Sequence, residues 1–334
     1  MKKQQNISLK EYNTFGIDVY AKQFIEVNTI EELILVTQEE KSFFLLGGGS
    51  NMLLTKDIDK PVLHINIKGI KIIKENKFSI YIEANAGENW HEFVLWCLQN
   101  DFGGIENLSL IPGNVGTCPI QNIGAYGVEV KNTIHIVNTI EIKTGKKVSF
   151  KNTDCNFGYR NSIFKTSKKG KYIITSVIFK LTKEKHQLKY NYGAIQNELV
   201  KKNINKPTIQ DISEAIIFIR NSKLPNPKEL GNSGSFFKNP VVDKNTFLKV
   251  QEKHPDMPFY PVENDYKIPA GWLIEQSGFK GKRFGDAGVH KNQALVLVNY
   301  GKATGTEILK LAKNIQKTVQ KLFKIELEME VNIF

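Results

Sequence analysis

Arginine is almost missing from this chain: of 46 basic residues, only Arg160, Arg220 and Arg283 carry a guanidinium. Cysteine is as scarce, with Cys97, Cys118 and Cys155 alone, and there are six histidines in 334 residues. Three widely spaced cysteines make neither a disulfide framework nor a metal-type pair, and no two histidines sit at helical spacing, so neither a stapled scaffold nor a metal site is expected. Long apolar runs are also lacking. No stretch approaches the roughly 18 residues of a membrane span, and no apolar run follows Met1-Lys2-Lys3-Gln4-Gln5-Asn6. A soluble, unexported, cytoplasmic protein with no membrane partner is expected.

The net charge of +12 is carried by lysine spread along the whole chain, without a dense basic run or a basic helix face interleaved with aromatics. That pattern is a solvated surface, and no nucleic-acid partner is expected. An anionic small-molecule substrate fits the surplus charge. Where so lysine-rich a chain keeps arginine, the planar bidentate fork is a reason for keeping it. With 41% hydrophobic and 24% charged residues the chain is globular and long enough for two or three cores.

The apolar run Ser42 to Leu46 stops at Gly47-Gly48-Gly49-Ser50-Asn51 and resumes at Met52-Leu53-Leu54, which reads as strand, loop, strand. Consecutive glycines let backbone N–H groups converge on a pyrophosphate. The loop lacks the ending of a P-loop and the spacing of a Rossmann fingerprint, so a dinucleotide held here needs another fold. Trp90, Phe93, Val94, Cys97 and Leu98 share one helical face. Leu110 to Gly127, with four glycines and two prolines, suits neither helix nor strand, yet is apolar enough to be packed. Ile134 to Ile142 and Tyr172 to Leu181 read as strands, and Lys223-Leu224-Pro225-Asn226-Pro227 breaks the helical run that ends near Arg220, which places a boundary there.

Near the C-terminus, Thr304-Gly305-Thr306-Glu307 predicts a capping box opening a helix that runs to about Phe323. Ile325 to Ile333 then alternates apolar with polar residues, which predicts a half-buried strand with Glu326, Glu328 and Glu330 on its polar face. Gly231-Asn232-Ser233-Gly234-Ser235-Phe236-Phe237 reads as a flexible turn that presents the Ser235 hydroxyl at the mouth of an aromatic strand.

Seven motifs occur in order: Asn13 to Gly16, Leu46 to Asn51, Ile111-Pro112-Gly113, Pro119 to Gly127, Phe157 to Phe164, Lys223-Leu224-Pro225 and Gly234 to Pro240. Together they resemble the UDP-N-acetylenolpyruvoylglucosamine reductase family over nearly the whole chain. Tyr190 to Gly193 resembles the tyrosine loop of its longer class. The resemblance implies an α+β chain with an FAD-binding region of vanillyl-alcohol-oxidase type in two subdomains, residues 1–70 and 71–219. A C-terminal α+β substrate domain, 220–334, follows.

It also implies non-covalently held FAD, NADPH as co-substrate, and reduction of UDP-N-acetylglucosamine enolpyruvate to UDP-N-acetylmuramate for peptidoglycan, by a monomer. Residue by residue, Ser235 matches the proton donor, and Arg160 and Glu330 the charged pair at the substrate carboxylate. Tyr126, Tyr192, Lys223, Asn239 and Gln293 match substrate contacts. Gly47, Gly48, Gly49, Ser50 and Asn51, with Pro112, Gly113, Gly116, Thr117, Gln121, Asn122, Gly124 and Ala125, match the FAD site. Glu330 is implied either as a protonated donor or as a partner that orients Arg160.

Three positions depart from the pattern: Cys118 where serine is common, Ser233 where alanine is common, and Asn332 where arginine often stands. Rival readings are another oxidoreductase of the same flavin fold, or a basic nucleotide binder without activity.

Overall fold

The computed structural model describes residues 1–334. By contact density the chain divides into two units. The first holds Met1–Ile7, Ala21–Gly48 and Ile58–Ser222, and the second holds Ser8–Tyr20, Gly49–Asp57 and Lys223–Phe334.

Besides the two-stranded ribbon of Gly124–Ala125 with Val128–Glu129, the first unit has two larger sheets. In the smaller, strand Val62–Ile65 pairs in parallel with Tyr20–Val27 on one side and with Phe44–Leu46 on the other. The helix Ile30–Glu39 makes the crossover that parallel pairing requires. Thr29 caps its first turn by accepting from the Glu32 amide. The larger sheet is antiparallel, in the order Lys147–Lys151, Ile134–Glu141, Tyr172–Thr182, Ser79–Asn85, Ile70–Glu75. Helix Trp90–Gln99 lays the predicted face on it: Trp90, Phe93, Val94, Cys97 and Leu98 are all buried. The rings of Trp90 and Phe93 meet Phe179 of the central strand at 5.9 and 5.0 Å between centroids. The indole N–H of Trp90 donates to the Leu108 carbonyl (2.9 Å), so no polar group is stranded there. Helices Gly193–Lys201 and Ile209–Lys223 build a separate small core from Ile195, Leu199, Ile212 and Ile216.

In the second unit, a four-stranded antiparallel sheet runs in the order Gly231–Ser235, Val296–Asn299, Ala287–Val289, Arg283–Phe284. Helix Gly305–Phe323 buries Ile308, Ala312, Ile315 and Val319. The expected capping box opens it: Glu307 N donates to Thr304 Oγ1 (3.2 Å), and Thr304 N to the Glu307 carboxylate (2.7 Å). The C-terminal segment differs from the single strand that alternation predicts. It pairs only at the Phe237–Met329 bridge and again at Asn332–Ile333, which runs parallel to Met52–Leu53. Burial still alternates, with Ile325, Leu327 and Val331 inside. Alternation reports an extended backbone, whereas a ladder also needs a neighbouring edge.

Candidate active site

In the first unit, Gly158 and Asn161 exchange both backbone hydrogen bonds (3.1 and 3.2 Å), leaving Tyr159 and Arg160 at the tip of a tight turn. Ser162 Oγ donates to Ile120 O (2.6 Å) and Asn122 Nδ2 to Gly158 O (3.0 Å), so the turn is clamped onto the irregular 118–125 segment. Asn122 is fully buried, and its Oδ1 accepts from Lys131 N. Arg160 has a left-handed backbone (φ 52°), a conformation that costs a non-glycine residue about 1 kcal/mol. Its Nη2 donates to Gly124 O (2.7 Å), and its guanidinium carbon lies 5.4 Å from the Tyr159 ring centroid. A Cβ on Gly124 would stand 3.1 Å from Arg160 Nη1 and 2.9 Å from Val128 O, so glycine makes room for the guanidinium.

The glycine loop and the 112–127 segment meet backbone to backbone. A Cβ on Gly47 would lie 2.7 Å from Thr117 Cγ2, and one on Gly48 would lie 2.7 Å from Asn114 Oδ1 and 2.9 Å from Gly113 Cα. Gly116 is equally close to Ala86 (2.5 Å). Such a cradle, with side chains removed where the backbone must approach, fits the pyrophosphate of FAD. Ala125 lies next to Tyr126 on the short strand Gly124–Ala125. Pro112 opens the 112–127 segment and Gln121 lies within it.

Tyr126 (φ 49°) packs edge-to-face on Tyr192 at 5.6 Å, and Tyr192 is half exposed at the start of helix Gly193–Lys201. Asn107 Nδ2 ties the Tyr126 carbonyl (3.2 Å) to that of Lys189 (2.8 Å), joining the two tyrosine-bearing segments. The half-buried Arg220 guanidinium lies close enough to the Tyr126 phenol for the two to influence each other's titration. Burial raises the phenol's pKa, an effect opposed by Arg220, and burial lowers that of Arg220. Sequence reasoning gave Arg220 no role; the rarity of arginine was its one signal.

The second unit carries the other candidates. Ser235 ends strand Gly231–Ser235, opposite Val296, after a register shift between Asn232 and Ser235. The flexible turn expected around it is therefore corrected to a β-bulge, with Gly234 at φ 67°. Asn232 fixes the bulge: its Nδ2 donates to Pro225 O and Leu230 O, and its Oδ1 accepts from Gly234 N (2.9 Å). Ser235 is exposed, while Phe236 and Phe237 directly after it are fully buried. The hydroxyl thus stands at the end of an anchored frame.

Glu330 lies beside that frame, since its amide donates to Phe236 O (2.8 Å) and Lys238 N donates to Glu328 O (2.9 Å). Glu330 is half-buried where Glu326 and Glu328 are exposed, which separates it from its two neighbours on the polar face. Asn51 Nδ2 donates to Glu330 O (3.3 Å), and Gly49 lies against Tyr12, whose carbonyl would be 2.0 Å from an added Cβ. Ser50 sits between them in the loop.

Asn239 Oδ1 accepts from Ala270 N (2.9 Å) at the start of helix Ala270–Gln276, and Gln293 Oε1 lies 3.0 Å from the Cβ position of Gly271 in the same turn. Lys223 closes helix Ile209–Lys223 and is exposed. Ser235, Glu330, Asn51, Asn239 and Gln293 are thus gathered in the second unit, and Arg160, Tyr126 and Tyr192 in the first. Cys118 is buried, and burial pushes its thiol well up, so it stays protonated.

Residues 21–150 match the FAD binding domain family, and residues 226–334 match the C-terminal domain of UDP-N-acetylenolpyruvoylglucosamine reductase. The chain is 61% identical to the UDP-N-acetylenolpyruvoylglucosamine reductase of Flavobacterium johnsoniae, over 100% of both proteins. It is 47% identical to the reductase of that name from Amoebophilus asiaticus, over 99% of this chain and 98% of the other. Among solved structures, the UDP-N-acetylenolpyruvylglucosamine reductase of Thermus caldophilus shares the fold, with a TM-score of 0.70 at 23% identity over 100% of this chain and 99% of that one. p-Cresol methylhydroxylase shares it at a TM-score of 0.51 and 12% identity, over 97% of this chain and 84% of that one. The α+β fold is thus an FAD-binding region of the type expected, followed by a reductase C-terminal domain, and the chain belongs to the UDP-N-acetylenolpyruvoylglucosamine reductase family.

Proposed function

We propose that this FAD-dependent reductase converts UDP-N-acetylglucosamine enolpyruvate to UDP-N-acetylmuramate with NADPH as co-substrate, and that Arg160, Ser235 and Glu330 carry the chemistry. The observation that supports this best is Ser235: an exposed hydroxyl on a bulged strand end, anchored by two buried phenylalanines, with the Glu330 backbone paired alongside. Bound FAD would supply the hydride chemistry that reduces C3 of the enol ether, with NADPH as the source of the hydride. The glycine loop and the 112–125 segment hold that cofactor.

Negative charge grows at C2 and in its carboxylate as C3 is reduced. A fixed cation there stabilises the transition state more than the ground state, and the Arg160 fork supplies it. Ser235 then delivers a proton to C2. Glu330 acts as the protonated acid, donating to the substrate carboxylate, because a bare carboxylate would oppose the charge forming nearby. Tyr126 and Tyr192 hold the nucleotide end, and Lys223, Asn239 and Gln293 hold the remainder of the substrate.

We read residues 1–70 and 71–219 as two flavin subdomains, with the substrate domain from 220; the parallel and antiparallel sheets of the first unit, which fall on either side of residue 70, support the first division. Three free, buried cysteines support a reducing, cytoplasmic compartment, and the monomer is our reading, which size-exclusion chromatography with light scattering tests. No helix is long and apolar enough to cross a membrane.

The reaction is tested by the anaerobic visible spectrum. Bleaching by NADPH and recovery on adding the enol ether is the expected sequence. Bleaching without recovery would leave a flavin reductase of another substrate.

A further inference from the structure

Three main-chain carbonyls in the stretch Gly49 to Met52 are each taken by a residue of the second unit. Gly49 O accepts from Thr14 N (3.1 Å) and Thr14 Oγ1 (3.4 Å). Asn51 O accepts from both Asn332 N (3.3 Å) and Asn332 Nδ2 (2.9 Å). Met52 O accepts from Ser233 Oγ (3.3 Å), which also lies 3.3 Å from Thr14 Oγ1. Thr14 O in turn accepts from Asn232 N (2.9 Å), and Asn51 Nδ2 reaches Glu330 O (3.3 Å).

Ser233 stands two residues before the proposed proton donor, on the same strand, and Asn332 two residues after Glu330. With Gly49 O, Asn51 O and Met52 O held by Thr14, Asn332 and Ser233, the loop cannot shift without pulling on both segments. The exposed Asn332 side chain makes no other hydrogen bond, and the Ser233 hydroxyl reaches only Met52 and Thr14.

We propose that Asn332 and Ser233 are positioning residues that latch the cofactor loop to the strands bearing Ser235 and Glu330, so that FAD occupancy sets the placement of the protonating groups. This rests on reading Gly47–Asn51 as the FAD cradle. Coupling between binding equilibria is reciprocal: whatever the latch adds to FAD affinity, FAD returns as order in the two strands.

The test is hydrogen exchange on the full chain with and without FAD, together with FAD titration of the wild type and of the Asn332→Ala and Ser233→Ala variants. In the wild type, FAD slows exchange at the Asn232, Glu330 and Asn332 amides as well as in the loop. Asn332→Ala weakens FAD binding roughly threefold to tenfold, the size of one neutral hydrogen bond. It also removes most of the protection at Glu330, and Ser233→Ala moves Asn232 in the same direction. Protection confined to residues 47–52, or variants with wild-type FAD affinity and transmitted protection, overturns the latch alone. A wild-type chain that takes up no FAD overturns the flavin reading and the latch with it.

Discussion

Replacing Arg160 by lysine keeps the charge and removes the fork. The Arg160 backbone is left-handed at φ 52° whichever of the two side chains it carries, so backbone strain does not distinguish the variants. What differs is donor geometry. Arg160 Nη2 is committed to Gly124 O at 2.7 Å, and the rigid guanidinium is thereby aimed, with its remaining N–H groups in one plane. A lysine ammonium can meet the Gly124 carbonyl or a carboxylate oxygen, but cannot hold both from one plane. Losing one charge-assisted hydrogen bond from the transition state costs about 1.5–3 kcal/mol, or roughly 10- to 150-fold in rate. The assay is anaerobic stopped flow: flavin reduced by NADPH, then mixed with the enol ether and followed as its absorbance returns. Reduction by NADPH should proceed as in the wild type, with reoxidation slowed in kcat more than KM is raised. Reoxidation within about threefold of wild type, under 1 kcal/mol, would refute the argument that the fork is what matters.

Other perturbations probe other parts. Ser235→Ala should fold, bind FAD and be reduced by NADPH normally, since the side chain is exposed, yet reoxidise roughly 10²–10⁴-fold more slowly; normal recovery of flavin absorbance would remove Ser235 from the mechanism. Glu330→Gln keeps a hydrogen-bond donor, so it should retain far more reoxidation rate than Glu330→Ala, and equal losses would argue for a carboxylate role instead. Gly49→Ala sets a Cβ 2.0 Å from Tyr12 O at φ 61°, and should cost flavin retention as well as more than about 1 kcal/mol of stability, read by urea denaturation and by colour after gel filtration. Burial holds His64 and His290 below the usual histidine value. Folded, they bind fewer protons than unfolded, so stability is full above roughly pH 7 and falls as pH drops through about 6.5, by at most about 1.4 kcal/mol per pH unit for each. Denaturant midpoints that stay level from pH 7.5 to 5.5 would contradict this.

Local patterns in the sequence were enough for the elements whose causes are local. The face Trp90, Phe93, Val94, Cys97, Leu98 becomes one side of helix Trp90–Gln99, and the Thr304–Glu307 box opens helix Gly305–Phe323. Long-range pairing was not legible. Nothing near Met52 says that it will lie beside Asn332, and nothing in Ser8–Tyr20 says that it belongs with the C-terminal third. The bulge at Ser235 was hidden for a similar reason: Gly234 suggests a turn, but Asn232, reaching back to Pro225 and Leu230, decides the geometry. Arg220 shows the limit of composition as a guide. Scarcity marks it out, but only the fold brings it near the Tyr126 phenol.

The three departures from the family pattern acquire physical content from their surroundings. Cys118 is 1% exposed in a segment packed on the core beneath Trp90 and Phe179. A serine hydroxyl there would need a partner, whereas a thiol is content as a small apolar group. Ser233 does have partners for its hydroxyl, in Met52 and Thr14, and Asn332 is short enough to turn back onto Asn51. A long cationic side chain at 332 would extend toward solvent or ligand, but asparagine fastens the loop instead. Under the latch proposed above, Ser233 and Asn332 hold the same 49–52 stretch, so the two departures at 233 and 332 belong to one arrangement and should be exchanged together when grafting between family members.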